Sequence, residues 1–224
     1  LSRTWVRTVS SAALVTTYGY NNAGDLASTD YSDTTPDVAI TYTRFGAQHT
    51  VTDATGTRTF TYTTALRPDQ EQLDATFYGS RILTRSYQVG LDLASTPPSV
   101  PGRNNGFELG TTGDLDQDYS VVYGYDTAGR LSTVTDPSGS VTYDYLANSN
   151  LRSSATSAVH SVAFGYEPYR DVITSLENKV GTTTVSKFDY TVNNLGQRTQ
   201  RANTGTAFGT ASTDVFTYNA KGEV

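Results

Sequence analysis

An aromatic residue followed two positions later by tyrosine recurs along the whole chain. The second tyrosines of successive copies lie 20 to 38 residues apart. A spacing of two places both rings on one face of a β-strand, where they can pack against the pair of a neighbouring strand. The recurrence therefore predicts a chain of repeated strands. The pairs are Tyr18/Tyr20, Phe60/Tyr62, Tyr123/Tyr125, Tyr143/Tyr145, Phe164/Tyr166, Phe188/Tyr190 and Phe216/Tyr218, with imperfect copies that end at Tyr42 and Tyr87.

A short turn motif follows several of these pairs. After Tyr125, the Asp126 side chain can accept hydrogen bonds from backbone N–H groups ahead of it, and Gly129 can supply the positive φ that closes a short hairpin loop. Asparagine replaces aspartate in further copies, which are Asn21 to Gly24, Asn193 to Gly196 and Asn219 to Gly222. The residues Asp136-Pro137-Ser138-Gly139 are typical of a type I turn. Both aspartates are therefore interpreted as turn residues.

The segment around these turns predicts three strands, at about residues 120–125, 130–136 and 140–145. Val121, Tyr123 and Tyr125 alternate with other residues, so the strands should form a meander with one tyrosine-bearing face. Two strands per repeat would give roughly 18 strands, and open sheets of more than ~10 strands tend to curl or split. We therefore expect an all-β fold, a long antiparallel ribbon of repeated hairpins that curls.

The repeat pattern predicts a single ribbon segment over residues 1–224, with an irregular, insertion-bearing part at residues 64–120. That part contains the longest gap between tyrosines and the loop from Ser95 to Gly102. Loops on a rigid sheet are common recognition sites, so Arg103, Asn104 and Asn105 are candidate binding residues. The chain begins without methionine and stops soon after Gly222, and we expect it to be a fragment of a larger protein.

Composition and charge argue against several classes of protein. The formal net charge of -6 opposes binding to nucleic acid through phosphate neutralisation. No apolar run reaches the length of about 18 residues that a membrane helix needs. The absence of cysteine excludes disulfides, thiolate catalysis and cysteine-ligated zinc. With 16 tyrosines and no methionine, rings with polar tips must provide much of the packing.

The motif Y-x-Y-D-x-x-G-R-L at residues 123–131 resembles the tyrosine-aspartate (YD) repeat of the rearrangement-hotspot (RHS) family, and looser copies extend along nearly the whole chain. Two further stretches resemble a bacterial subgroup of that family. These are the G-F-E-L-G stretch at residues 106–110 and S-V-T-Y-x-Y-L-A-N-S at residues 140–149. The resemblance implies a β-ribbon that spirals into a hollow shell, in an exported bacterial protein that is extracellular or at the cell surface.

In members of this family the shell encloses a C-terminal toxic domain, and in teneurins a similar shell serves cell adhesion. Toxin-bearing members end the shell with a D-P-x-G segment linked to aspartyl self-cleavage. Asp136 to Gly139 carry these letters in the middle of the ribbon, between two ordinary strands, and are interpreted as a turn.

The remaining candidate sites are weaker. Asp114, Asp116 and Asp118 could supply oxygen ligands to Ca²⁺, but Tyr119 stands where an EF-hand loop needs glycine, and a solvated loop is the simpler interpretation. His49 and His160 are far apart, so each is interpreted as a strand histidine and not as a catalytic one. No catalytic or cofactor-binding residue is predicted. The residues assigned to the repeat structure are Tyr20, Gly24, Tyr62, Tyr123, Tyr125, Asp126, Gly129, Tyr143, Tyr145, Tyr166, Tyr190, Gly196, Tyr218 and Gly222.

Three functions remain open on this basis. The first is a non-enzymatic structural segment of a shell, whose partners are the other segments of its parent protein or an enclosed polypeptide. The second is an extracellular binding or adhesion module that recognises a glycan or a protein through its loops. The third is an autonomous hydrolase, which the sequence favours least. Exposed sheet edges also predict self-association.

Overall fold

The computed structural model describes residues 1–9, 12–111 and 119–223. These residues form eighteen β-strands and one helix of four residues, and every strand pair described below is antiparallel. The predicted all-β fold of repeated hairpins is therefore confirmed. The chain divides into two compact units, Leu1–Gln88 with Pro101–Val121, and Val89–Val100 with Val122–Val224.

The first unit is a meander in which each strand pairs with the next one along the chain. Its strands are β1 (Ser2–Val9), β2 (Ala12–Tyr20), β3 (Leu26–Tyr31), β4 (Val38–Tyr42), β5 (Gln48–Asp53), β6 (Gly56–Tyr62), β7 (Pro68–Gln72), β8 (Arg81–Tyr87) and β9 (Asn104–Thr111). Strand β10 (Tyr119–Tyr125) crosses the boundary between the units.

The second unit continues the same pattern from β10 onward. Its strands are β11 (Leu131–Asp136), β12 (Gly139–Tyr145), β13 (Arg152–Thr156), β14 (His160–Tyr166), β15 (Ile173–Val180), β16 (Thr183–Val192), β17 (Arg198–Thr204) and β18 (Ser212–Val215). The three strands predicted at about 120–125, 130–136 and 140–145 correspond to β10, β11 and β12.

Within the stretch predicted to be irregular, residues 64–120, the described strands β7, β8 and β9 are joined by longer connections. A short helix, α1 (Ala75–Tyr78), stands between β7 and β8, and the Asp74 carboxylate accepts hydrogen bonds from the first N–H groups of this helix. Residues 88–103 connect β8 to β9. Within that connection Asp92 and Ser99 form an isolated antiparallel bridge.

Cross-strand register gives the strands of the second unit two chemically different faces. In the second unit Tyr123 opposes Val134, and Val134 opposes Val141. The alternate residues of the same strands pair Thr133 with Thr142. Because side chains alternate between faces along a strand, Tyr123, Val134 and Val141 share one face, and Thr133 and Thr142 share the other. This register follows from the alternation in the sequence.

Burial within these sheets is shallow. Over residues 1–6, 8, 12–111 and 119–223, the buried hydrophobic residues are Val51 and Val121, each 8% exposed. No side chain in those ranges is less than 2% exposed. A deep core therefore contributes little here, and contacts between neighbouring strands and turns have to stabilise the fold.

Two adjacent residues of β12 test this two-faced arrangement. Val141→Ala should lower the free energy of unfolding by about 1 kcal/mol, since it removes apolar surface that packs beside Val134. Thr142→Ala, on the exposed hydroxyl face, should change it by no more than about 0.5 kcal/mol. Urea unfolding followed by circular dichroism measures both values. Equal losses in the two variants would contradict the assignment of faces.

Candidate functional site: the repeat turn and its tyrosine

The turn after Tyr125 has five residues, Asp126 to Arg130, which we number as positions one to five. The Asp126 N–H donates to the Arg130 carbonyl at 2.8 Å, and the Gly129 N–H donates to the Asp126 carbonyl at 2.9 Å. The Asp126 Oδ1 atom accepts from the N–H groups of Ala128 at 3.0 Å and Arg130 at 2.8 Å. Gly129 has a φ of +80°, so glycine at position four relieves steric strain.

The same backbone and Oδ1 bonds recur in the turns that begin at Asn21, Asn193 and Asn219. The side chain at position five complements the one at position one. Where position one is aspartate, an arginine donates to it, through Arg130 Nε to Asp126 Oδ2 at 2.7 Å. Where it is asparagine, Nδ2 donates to an acceptor at position five, which is Asp25 (3.1 Å), Gln197 (2.8 Å) or Glu223 (2.7 Å).

Threonine begins two further turns of this kind, which the sequence analysis did not identify. Thr43 and Thr63 each accept an N–H group on the hydroxyl, from Ala47 at 3.1 Å and Arg67 at 3.2 Å. The signal that could have found them is their position directly after Tyr42 and Tyr62. In the second of these turns Leu66 occupies position four with a φ of +60°, a conformation that costs a non-glycine residue energy.

The charge on Asp126 is stabilised by the turn that it closes. Burial would raise the pKa of this carboxyl. Arg130 opposes that effect with hydrogen bonds from its backbone and side chain and with its charge, and the Ala128 N–H adds a further hydrogen bond. Together they lower the pKa below 3.8. The carboxylate is therefore an acceptor that holds backbone in place.

The last tyrosine before a turn donates its hydroxyl hydrogen to a backbone carbonyl of the preceding strand. The acceptor is the first residue of that strand, just after the turn of the previous repeat. We call this series of bonds the hydroxyl ladder. Its members are Tyr42 to Leu26 (2.7 Å), Tyr62 to Gln48 (2.7 Å), Tyr87 to Pro68 (2.7 Å), Tyr145 to Leu131 (2.7 Å), Tyr166 to Arg152 (2.9 Å) and Tyr218 to Arg198 (2.8 Å).

The acceptor residues have a second role in the register. Leu131 opposes Tyr125 across its own hairpin and accepts the hydroxyl of Tyr145 from the next one. Arg152 likewise opposes Tyr145 and accepts from Tyr166. The register shifts at each of these tyrosines, as in a β-bulge, which fixes where the strand ends and the turn begins. Where it occurs, a ladder bond therefore connects a turn to the repeat that follows it.

Residues at position five or position three also cover the ring of the next ladder tyrosine. The Arg130 guanidinium lies 4.4 Å from the centroid of the Tyr145 ring, and its Nη1 donates to the Ser149 carbonyl in the following turn. Phe45 makes an edge contact with Tyr62, with centroids 5.1 Å apart. Cation–π and edge contacts of this kind each add a fraction of a kcal/mol to about 2 kcal/mol.

One repeat departs from the pattern. The residue before the Asn193 turn is Val192. It opposes Arg198 across the hairpin, as Tyr145 opposes Arg152. Tyr190 lies two positions earlier, at the place of Tyr123 and Tyr143, and its ring contacts the Arg198 guanidinium at 4.1 Å. The Phe188/Tyr190 pair looks like the other pairs in the sequence. Its separation from the turn residue Asn193 reveals the shift of two positions.

The other repeat residues lie where their motif places them. Tyr20 ends β2 and is 49% exposed, while Tyr123 and Tyr143 are first rings of their pairs on the tyrosine-bearing face. Position four has a φ between +79° and +88° at Gly24, Gly129, Gly196 and Gly222.

The remaining candidates are not brought together. Asn104 and Asn105 begin β9, and Arg103 accepts a hydrogen bond from the Gln88 N–H on its carbonyl. Asp114, Asp116 and Asp118 lie outside the described residues. Within the described ranges, no group of three or more histidine, aspartate or glutamate side chains could hold a metal ion. His49 and His160 are exposed on different strands.

Comparison with known families confirms the resemblance that the YD motif predicted. Residues 125–162 match the sequence model of the RHS Repeat family. This segment begins at Tyr125 and includes the Asp126 turn and the Tyr145 bond. No curated protein sequence matches the chain significantly.

Solved structures show the same fold at low sequence identity. The crystal structure of TcdB2-TccC3-Cdc42 aligns with a TM-score of 0.50 and 14% identity over 94% of this chain and 10% of that chain. TcdB2-TccC3 without its hypervariable C-terminal region aligns with a TM-score of 0.50 and 13% identity over 96% of this chain and 10% of that chain. The chain thus spans about a tenth of the length of these structures. In the described residues, no helix is long and apolar enough to cross a membrane.

Tyr145→Phe tests a single step of the ladder. The variant keeps the ring and loses the hydroxyl that donates to Leu131, so the free energy of unfolding should fall by about 1 kcal/mol. Tyr143→Phe, on the same strand but outside the ladder, is the matched control and should change stability by less than about 0.5 kcal/mol. Chemical denaturation compares the two. An equal response would show that the hydroxyl bond adds no stability.

Asn193 variants test the pairing of positions one and five. Asn193→Ala should cost about 1 to 2 kcal/mol, because the N–H groups of Leu195 and Gln197 lose their acceptor. The double variant Asn193→Asp with Gln197→Arg recreates the pair found at Asp126 and Arg130 and should retain most of the stability. Thermal denaturation measures this difference. A double variant as unstable as Asn193→Ala would argue against interchangeable pairs.

Leu66→Gly should raise the free energy of unfolding by about 1 kcal/mol, since glycine adopts the positive φ of this position without strain. Leu66 is 59% exposed, so little burial is lost. Gly46→Ala, at the same position of the preceding turn, should destabilise by a similar amount. Unfolding midpoints in urea report both changes. A less stable Leu66→Gly variant would refute the strain argument.

Proposed function

We propose that this chain is a non-enzymatic structural segment of an RHS-type shell, which encloses or presents another polypeptide. The observation that carries the proposal is the hydroxyl ladder, because its six bonds join successive repeats without a deep core. A sheet built this way can be lengthened by adding repeats, and its stability is close to a sum over neighbours. Such a ribbon is suited to enclosing space. The RHS Repeat match at residues 125–162 supports the same function.

The chemistry of the described residues also favours a structural role. The carboxylates with lowered pKa values are engaged by turn or cross-strand partners. Hydrogen bonds from Asn203 and Arg201 lower the pKa of Asp214. At Asp126, burial raises the pKa, but the hydrogen-bond donors of its own turn lower it by more. Shifted pKa values can mark reactive groups, but both of these carboxylates accept hydrogen bonds from structural donors. The parent protein is proposed to be exported, extracellular or at the cell surface, with its other segments and the enclosed polypeptide as partners.

A binding or adhesion module is the second candidate. Its support is the connection between β8 and β9, where Val89, Leu91 and Leu93 are 95%, 65% and 71% exposed. Exposed aliphatic side chains at such density are typical of interaction sites. A ligand of this module would be a protein or a glycan bound at these exposed side chains.

The parent protein that contains this chain provides the test. Electron microscopy of the purified parent should show these strands as part of a continuous β-sheet around a cavity, and a polypeptide inside should resist added protease. A parent carrying Tyr145→Phe and Asn193→Ala should expose that polypeptide to digestion at lower urea concentrations than a Tyr143→Phe parent. Strands that project from the particle without bounding a cavity would refute enclosure and favour the binding module.

A further inference from the structure

A cavity of about 330 Å³ lies in the first unit, beside strands β1, β2 and β3. Its apolar lining includes the rings of Trp5 and Tyr31 and the side chain of Leu14. Trp5 is the only tryptophan of the chain and is 41% exposed. The volume is at the lower end of the range of ~300 to 1,000 Å³ that is typical of ligand pockets, so there is room for a small group.

The walls of this cavity are fixed by hydrogen bonds. The Trp5 indole N–H donates to the Thr16 hydroxyl at 3.0 Å, and Thr16 is only 4% exposed. The loop between β3 and β4 is held by Tyr31 N–H to Asp37 at 2.7 Å and by Thr35 N–H to Asp33 at 3.0 Å. A ring and a loop held in this way need little reorganisation to receive a ligand.

The polar part of the lining consists of hydroxyls and one carboxylate. Thr16, Ser32 and Thr35 contribute hydroxyl groups, which both donate and accept, and Asp33 contributes acceptors. Rings on one side and hydroxyl-binding groups on the other match a sugar ring, which has apolar C–H faces and polar edges. An apolar guest would desolvate these polar groups and make no hydrogen bond to them, at a cost in free energy.

Charge distinguishes a sugar from the ionic alternatives. The Arg3 guanidinium lies 3.7 Å from the Trp5 ring centroid, so a positive charge already occupies one face of the indole and disfavours a second cation at the ring. Asp33 and Asp37 beside the cavity repel an anion. We propose that this cavity binds one neutral pyranose ring of a glycan, stacked on Trp5 and Tyr31 with its hydroxyls on Asp33 and Thr35. This site is separate from the loop beside Arg103.

The single tryptophan makes the test direct. The 224-residue chain is titrated with the methyl glycosides of glucose, galactose, mannose and N-acetylglucosamine, and Trp5 emission is recorded. At least one glycoside should give a saturable change in the millimolar range. Asp33→Asn keeps the oxygen that accepts from Thr35 and should weaken that binding about tenfold through loss of the charged acceptor. Tyr169→Ala, a 97% exposed tyrosine in the second unit, is the control and should bind as the native chain does.

Three results would overturn the proposal. The first is no saturable change with any of the four glycosides. The second is a change that Asp33→Asn leaves intact while circular dichroism shows a folded variant. The third is a response to choline or to the uncharged N-acetyl-leucine amide that equals the response to the glycosides, which would identify the cavity as a cation site or an apolar one. A negative result in the glycoside titration would not affect the proposed shell function, because that function is tested by enclosure of a polypeptide in the parent protein.

Discussion

The bond from a tyrosine hydroxyl to the backbone carbonyl of the previous strand is the interaction on which the architecture depends. A hairpin by itself specifies only its own register, and a pair of strands is marginally stable in water. Each hydroxyl bond ties the end of one hairpin to the beginning of the strand before it, as Tyr145 does with Leu131. Since Leu131 also opposes Tyr125, the position of one turn determines the position of the next.

This arrangement explains how a chain that is 36% hydrophobic folds with few buried side chains among its described residues. A tyrosine buries a large ring against its neighbours and still satisfies its polar tip, so the same residue supplies packing and register. The turn adds bonds of its own, and Arg130 joins both parts because it pairs with Asp126 and covers the Tyr145 ring. Stability is thereby spread along the ribbon.

Much of this could be predicted from the sequence. The alternation at residues 120–145 indicated three strands, and the Asp126 to Gly129 motif indicated the turn between two of them. The acceptors of the hydroxyls could not be predicted, because Leu131 and Arg152 act through carbonyls that every residue possesses. The Thr43 turn was missed because threonine replaces the expected Asp or Asn. The cavity beside Trp5 depends on a loop geometry that no periodicity encodes.

The repeat that ends in Val192 offers the most direct test of the ladder. The preceding strand, β15, begins at Ile173, which opposes Tyr166 as Leu131 opposes Tyr125. The Ile173 carbonyl therefore occupies the acceptor position for a ladder hydroxyl. Val192→Tyr would supply that hydroxyl, and Val192→Phe would supply the ring alone. Urea unfolding should show the tyrosine variant more stable than the phenylalanine variant by about 1 kcal/mol. Equal stability of the two would contradict the claim that the hydroxyl bond sets the ladder.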